Sequence, residues 1–312
     1  RIVMQKSPFR MIPLYGEGAR SRAQDKLTTT LALPKQRHPL HSRIRSVNPR
    51  PNVVIEDFQF ESDSGVRIPG WFVAPSSASG RRSTVLYLTE DGGNDVVAEP
   101  GSMDRLLAAG YSICAISLRG LGITLPRFPS GGPVYYDADV HLAERFAWTC
   151  LVMGRPVIGQ RVWDALRAID YLASRPDVDP SQIRIAGVGS AGLAAMMAGF
   201  LDNRPRSVLV DRTLVSYASI LESEKYSLKL EWFVPDILRS FDLPEIAAGI
   251  SPRPCWVLNG VDPSGKVLSE SSLREQYSRN IGNEAPRPTR LRFLVSSQPD
   301  PQDIYLQWLQ ST

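Results

Sequence analysis

A chain of 312 residues, 43% hydrophobic and 22% charged, carries enough apolar material for a sizeable core, which excludes a disordered or collagen-like polymer. No stretch approaches the ~20 consecutive apolar residues of a membrane-spanning helix. The formal charge of +4 is unevenly spread: residues 1–50 hold eleven Lys and Arg against two Asp and Glu, a net +9, and residues 51–312 carry −5.

The basic segment 1–50 reads as an extended arm. It mixes its charges with apolar residues (Met11, Ile12, Leu14, Leu31, Leu33), has no run of like charge and shows no nucleic-acid motif. It is therefore expected to pack on its own body or on a partner chain, a second copy or a neighbouring domain, in preference to nucleic acid. The chain begins with Arg, so a signal segment removed in processing would make the protein secreted or periplasmic, and the compartment stays open. Three cysteines, with no CxxC pair and no Cys/His cluster, predict no structural zinc, and Cys114 and Cys255 sit in apolar runs as buried thiols.

From residue 53 the pattern becomes regular. Residues 53–60 and 66–73 read as two strands around the turn Ser62-Asp63-Ser64-Gly65, a β-hairpin. Strands at 84–88 and 111–116 then alternate with a helix at 102–109, and a helix at 162–173 ends before Pro176-Asp177-Val178-Asp179-Pro180. A strand at 183–188 runs into a helix at 191–201. Strands follow at 207–210, 254–258 and 291–295, with a closing helix at 304–309. The alternation predicts a single α/β domain over 51–312, with a mostly parallel sheet of about eight strands and helices on both faces. Residues 217–253, aromatic and Pro-rich between two strands, read as a cap over the carboxyl edge or as a crossover with an insertion.

Ligands of such sheets lie beyond the carboxyl ends of the strands. There, Gly187-Val188-Gly189-Ser190-Ala191-Gly192 joins a strand to a helix. A serine on this sharp turn has the form of a nucleophile elbow, with its hydroxyl lifted above the sheet and the helix amides facing a developing oxyanion. Val188 stands two residues before the serine, where the usual pattern has Gly. The bland alternative is a Gly-rich turn with an N-capping serine.

With Asp91-Gly92-Gly93 after one strand, Arg119-Gly120-Leu121-Gly122 after the next, the run 159–168, the elbow and Leu258-Asn259-Gly260-Val261-Asp262 after a later strand, the chain resembles the α/β-hydrolase superfamily. Within it, the chain is similar to the bacterial acetyl xylan esterase-like and dienelactone hydrolase-like group, over roughly residues 53–310. The resemblance implies ester hydrolysis through an acyl-enzyme on a small ester or acetylated carbohydrate. Ser190 would be the nucleophile, Asp262 would stand at the triad acid position, and Gly92, Gly93 and Ala191 would lie at the oxyanion site. No cofactor is implied. Asp262 also reads as an ordinary turn aspartate before Pro263-Ser264-Gly265.

The base is missing. The resemblance puts a histidine after the last strand, and the sequence there is Ser296-Ser297-Gln298-Pro299-Asp300. The three histidines are His38 and His41 in the arm, and His141 ahead of the 162–173 helix. A serine hydroxyl without a base is a weak nucleophile. Glu90 and Asp91 at the oxyanion loop also oppose new negative charge, unless Arg119 pairs with them. The expectations are a catalytically silent domain, an active esterase with a displaced base (His141 first), or a partner-binding subunit working through its arm.

Overall fold

The computed structural model describes residues 18–77, 80–98, 101–125, 138–281, 290–296 and 301–311. Its centre is one nine-stranded sheet, in the order β1-β2-β3-β5-β4-β6-β7-β8-β9. The strands are β1 (Arg43–Pro49), β2 (Val53–Asp63), β3 (Val66–Pro75), β4 (Arg82–Leu88), β5 (Ser112–Ile116), β6 (Val178–Val188), β7 (Val208–Asp211), β8 (Cys255–Leu258) and β9 (Leu291–Leu294). From β5 across to β9 every pairing is parallel, while β1, β2 and β3 add an antiparallel flank. The expected hairpin is the β2–β3 pair.

The ninth strand comes from the segment read as an extended arm. Residues Ala19–Thr30 form a helix, and Arg43–Pro49 form the edge strand β1. Ala19, Ala23, Leu27 and Leu31 recur every four residues and are buried in the main core cluster or beside it, and four-residue spacing lines up one helix face. Arg20 Nη1 donates to Ser251 O at 2.9 Å and Gln24 Nε2 to Phe200 O at 2.9 Å, so the helix is tied to the body of the same chain. Gly159 lets the chain after this helix come close: a Cβ there would stand 1.9 Å from Leu31 O. Met11, Ile12 and Leu14 lie outside the described residues.

Apolar side chains fill both faces of the sheet. One cluster gathers under the helices Val157–Ser174 and Ser190–Leu201, the other under Asp104–Ala108 and Gln302–Gln310. This is why β4 to β8 read as continuous apolar runs. All three cysteines are buried. Among the described residues no helix is long and apolar enough to cross a membrane.

Strand order reverses at β4, which has β5 on one side and β6 on the other. Leu88 at the end of β4 pairs with Gly187 near the end of β6. Glu90 and Ser190 therefore leave the sheet side by side, in the crevice where such sheets take ligands.

Candidate active site

The elbow forms as its small residues require. Gly189 has φ 61° and ψ −132°, a backbone region that is strained for a residue with a Cβ. A Cβ on Gly192 would meet Thr213 Oγ1 at 1.9 Å, and one on Gly187 would meet the Ala195 side chain at 2.6 Å. Glycine is thus needed before, within and after the turn, but not at Val188, whose side chain packs against the second core cluster.

Ser190 is fully buried, as is Ala191 behind it. The Ser190 hydroxyl accepts a long hydrogen bond from Arg161 Nη1 at 3.4 Å. Its backbone N–H donates to Glu90 Oε1 at 3.0 Å. Arg161 extends from the helix Val157–Ser174 and has no solvent exposure. Its Nε donates to Arg119 O at 3.0 Å, and its Nη2 donates to Glu231 Oε2 at 2.8 Å. Glu231, on the short turn Leu230–Trp232, is 7% exposed. A guanidinium buried this deeply needs such a carboxylate, because an unpaired charge in the interior is costly.

Arg119 does not pair with Glu90 or Asp91. Its guanidinium grips Asp164, with Nε to Oδ1 at 2.9 Å and Nη2 to Oδ1 at 2.8 Å, and Ser62 Oγ donates to the same carboxylate. The reason is position: Asp164 lies one helical turn beyond Arg161, facing the exit of β5. Asp91 instead closes its own loop, accepting from Gly93 N at 2.9 Å and from Asp95 N at 3.0 Å, and bonding the Thr89 hydroxyl. Gly93 N–H is therefore taken by Asp91 and Thr89 side chains, and Gly92 N–H turns to Thr89 O. Both glycines serve close packing, since a Cβ on either would stand 2.2 Å from Ser117 Oγ or Ala115 Cβ.

Asp262 lies away from the elbow in its contacts. Its Oδ1 accepts from Ser264 N at 2.8 Å, Ser264 Oγ at 2.7 Å and Lys266 N at 3.0 Å. Partial burial works against its charge, but these hydrogen bonds and the Lys266 ammonium hold the carboxyl below its usual range. His38 is exposed, and its backbone oxygen accepts from Arg167. His41 is exposed, with Nδ1 3.2 Å from Glu61 Oε2. His141 stands on the helix Ala138–Val152, and its side chain lies outside the described residues, as do positions 297–300 after β9.

Three polar residues at this edge escaped the sequence reading. Arg161 and Glu231 are two of them. The signal for Arg161 was its place on the helix, in line with the apolar Ala165 and Ile169, where a charge demands a partner. The third is Asp211 at the end of β7. Its backbone oxygen accepts from Gly189 N at 2.9 Å, and its buried carboxyl accepts from Asn259 Nδ2 at 3.0 Å and Tyr305 Oη at 3.4 Å. Burial pushes that carboxyl above its usual range. Among the described residues no three His, Cys, Asp or Glu side chains gather as a metal centre would.

A cavity of about 470 Å³ is lined by Glu90, which holds the Ser190 N–H, and by Glu231, which holds Arg161. Gly120, Ala143, Glu144 and Leu228 line it together with them. The segment 217–253 thus supplies part of the cover.

No family model matches the chain. It is 24% identical to YtaP of Bacillus subtilis (strain 168) over 255 residues, 78% of this chain and 81% of that protein. It is 26% identical to the alpha/beta hydrolase domain-containing protein WAV2 of Arabidopsis thaliana over 188 residues, 59% of this chain and 50% of WAV2. Among solved structures, the acetyl xylan esterase from Paenibacillus sp. R4 superposes with a TM-score of 0.63 at 20% identity, covering 99% of each chain. The glucuronoyl esterase from Solibacter usitatus gives 0.63 at 15% identity, over 96% of this chain and 94% of its own.

Proposed function

From the α/β-hydrolase fold that this chain has, we propose that it is an esterase-like domain that binds a small ligand beside its elbow and does not carry out triad-type ester hydrolysis. The observation that carries this reading is the pair of partners on Ser190. A triad base accepts the serine proton. A guanidinium has donors only and stays protonated, so in the Arg161 contact the serine oxygen is the acceptor and no proton can be handed over. The second partner has the same effect. The Glu90 carboxylate holds the Ser190 N–H at the start of the helix, one residue before the Ala191 N–H that the resemblance puts at the oxyanion site, and a resident negative charge beside that site opposes a second one.

Hydrolysis of p-nitrophenyl acetate and butyrate tests the reading, with the parent chain beside Ser190→Ala. The expected result is the same background rate for both. Turnover that disappears with Ser190 would overturn it.

A working serine ester hydrolase is the second reading. It is favoured by one observation: the helix that bears His141 also gives Ala143 and Glu144 to the cavity wall. Its substrates would be small esters or acetylated carbohydrates, in line with the esterases of the same fold. Ser190-dependent turnover that also falls by several orders of magnitude in His141→Ala would establish this second reading.

A further inference from the structure

We propose that the cavity lined by Glu90 and Glu231 is a binding site for a primary amine: an ammonium group on an aliphatic or arylalkyl body. Its volume of about 470 Å³ falls within the roughly 300–1,000 Å³ of small-molecule sites. Leu121, Leu125, Leu228 and Leu230 line it with aliphatic surface from two sides.

The charged part of the wall selects the head group. Glu231 is neutralised by Arg161 at 2.8 Å, through Oε2. Glu90 and Glu144 make no ion pair among the described residues, and Lys229, exposed on the same wall, offsets one of these two charges. One net negative charge remains.

Two of the carboxylates are also fixed before any ligand arrives. The Ser190 N–H holds Glu90 by Oε1, and Arg161 holds Glu231 by Oε2. Each keeps its other oxygen without a hydrogen bond among the described residues. Oxygens held in place by backbone and guanidinium give up little freedom on binding, which favours a ligand that donates hydrogen bonds to them. A primary ammonium brings three donors and the opposite charge.

Alternative head groups fit less well. No aromatic ring lines the cavity among the described residues, so a quaternary ammonium gains neither a cation–π face nor a hydrogen bond. A carboxylate or phosphate ligand would meet the Glu90 charge at the Ser190 N–H.

The amine site rests on the ligand-binding reading above, since both use this cavity, but its test contains no ester and reads no turnover. Isothermal titration of the full chain at pH 7 and low salt would compare 4-phenylbutylammonium, 4-phenylbutanol and 4-phenylbutanoate, which share one body and differ in the head. The amine is expected to bind at least tenfold tighter than the alcohol, and the carboxylate weakest. Glu90→Gln should lose that tenfold advantage and keep the affinity for the alcohol within about twofold. Glu144→Gln, on an exposed helix position, gives an independent loss if Glu90→Gln does not fold. Equal binding of amine and alcohol, tighter binding of the carboxylate, absence of binding by all three, or an amine affinity indifferent to both substitutions would overturn the proposal. Amine binding together with Ser190-dependent ester turnover would refute the silent reading and leave the amine site standing.

Discussion

Arg161→Met is the sharpest test of how the elbow is held. The substitution keeps an unbranched apolar chain and removes the guanidinium. It leaves Glu231, with a side chain 8% exposed, facing a neutral group. Breaking a buried ion pair from one side costs about 3–5 kcal/mol, because the remaining charge is uncompensated. The Arg119 carbonyl also loses its donor, which argues for the upper part of that range. At roughly 2–4 °C per kcal/mol for a domain of this size, the melting temperature should fall by about 6–20 °C. The double variant Arg161→Met, Glu231→Leu should recover most of the loss, since neither charge is then left alone. Urea titrations of parent, both single variants and the double variant measure the coupling. A single variant within 1 kcal/mol of the parent, or a double variant as unstable as the sum of the singles, would refute the account of Arg161 as a buried, Glu231-balanced charge.

Two further outcomes follow from the fold. Glu245 is held in a capping box, with Oε2 accepting from Asp242 N at 2.8 Å; burial, with the nearby Asp242 carboxyl, pushes it up to about 8. A carboxyl raised above its unfolded value of 4.5 stabilises the fold fully below that value, and the contribution is lost as pH rises towards 8. Stability should therefore decline by about 3–5 kcal/mol across that window, and Glu245→Gln, which mimics the protonated acid, should flatten the decline; parallel curves for both proteins would sink the idea. Leu27→Ala, at a fully buried position of the first helix, should cost about 2–5 kcal/mol in a chemical unfolding titration; a loss under 1 kcal/mol would mean that this helix is not part of the core.

The sequence made the sheet legible because its central strands are buried on both faces and so stand out as apolar runs. Every strand from β2 to β9 was anticipated to within a few residues, except that β6 begins five residues earlier, at Val178. What escaped notice has a physical reason in each case. The residues of β1 are all exposed, so no burial pattern marks the strand, which is held by the ladder to β2 and by contacts such as the fork of Arg45 on Asp57. The first helix buries a stripe only one residue wide, half of it alanine, within a segment whose charge draws the eye to an arm. The helix Ala138–Val152 exposes Trp148 and Val152, which blurs its period.

At the elbow, local chemistry and tertiary chemistry part company. Strand, turn and helix are specified within six residues, so Ser190 could be found by reading along the chain. Its partners come from positions 90 and 161, and the group balancing Arg161 comes from position 231, so none of them is local. Their joint effect works against what a nucleophile elbow asks for: the serine oxygen meets a donor that cannot take its proton, and a carboxylate stands beside the place where an anion must form. Restoring hydrolysis by adding a histidine alone should therefore fail. Arg161, balanced by Glu231, would still hold the serine oxygen, and the Glu90 carboxylate would still stand beside the place where the oxyanion must form. Activity would require the base, release of the hydroxyl from Arg161 and neutralisation of Glu90 together, three changes whose effects are coupled through one buried cluster and so do not add.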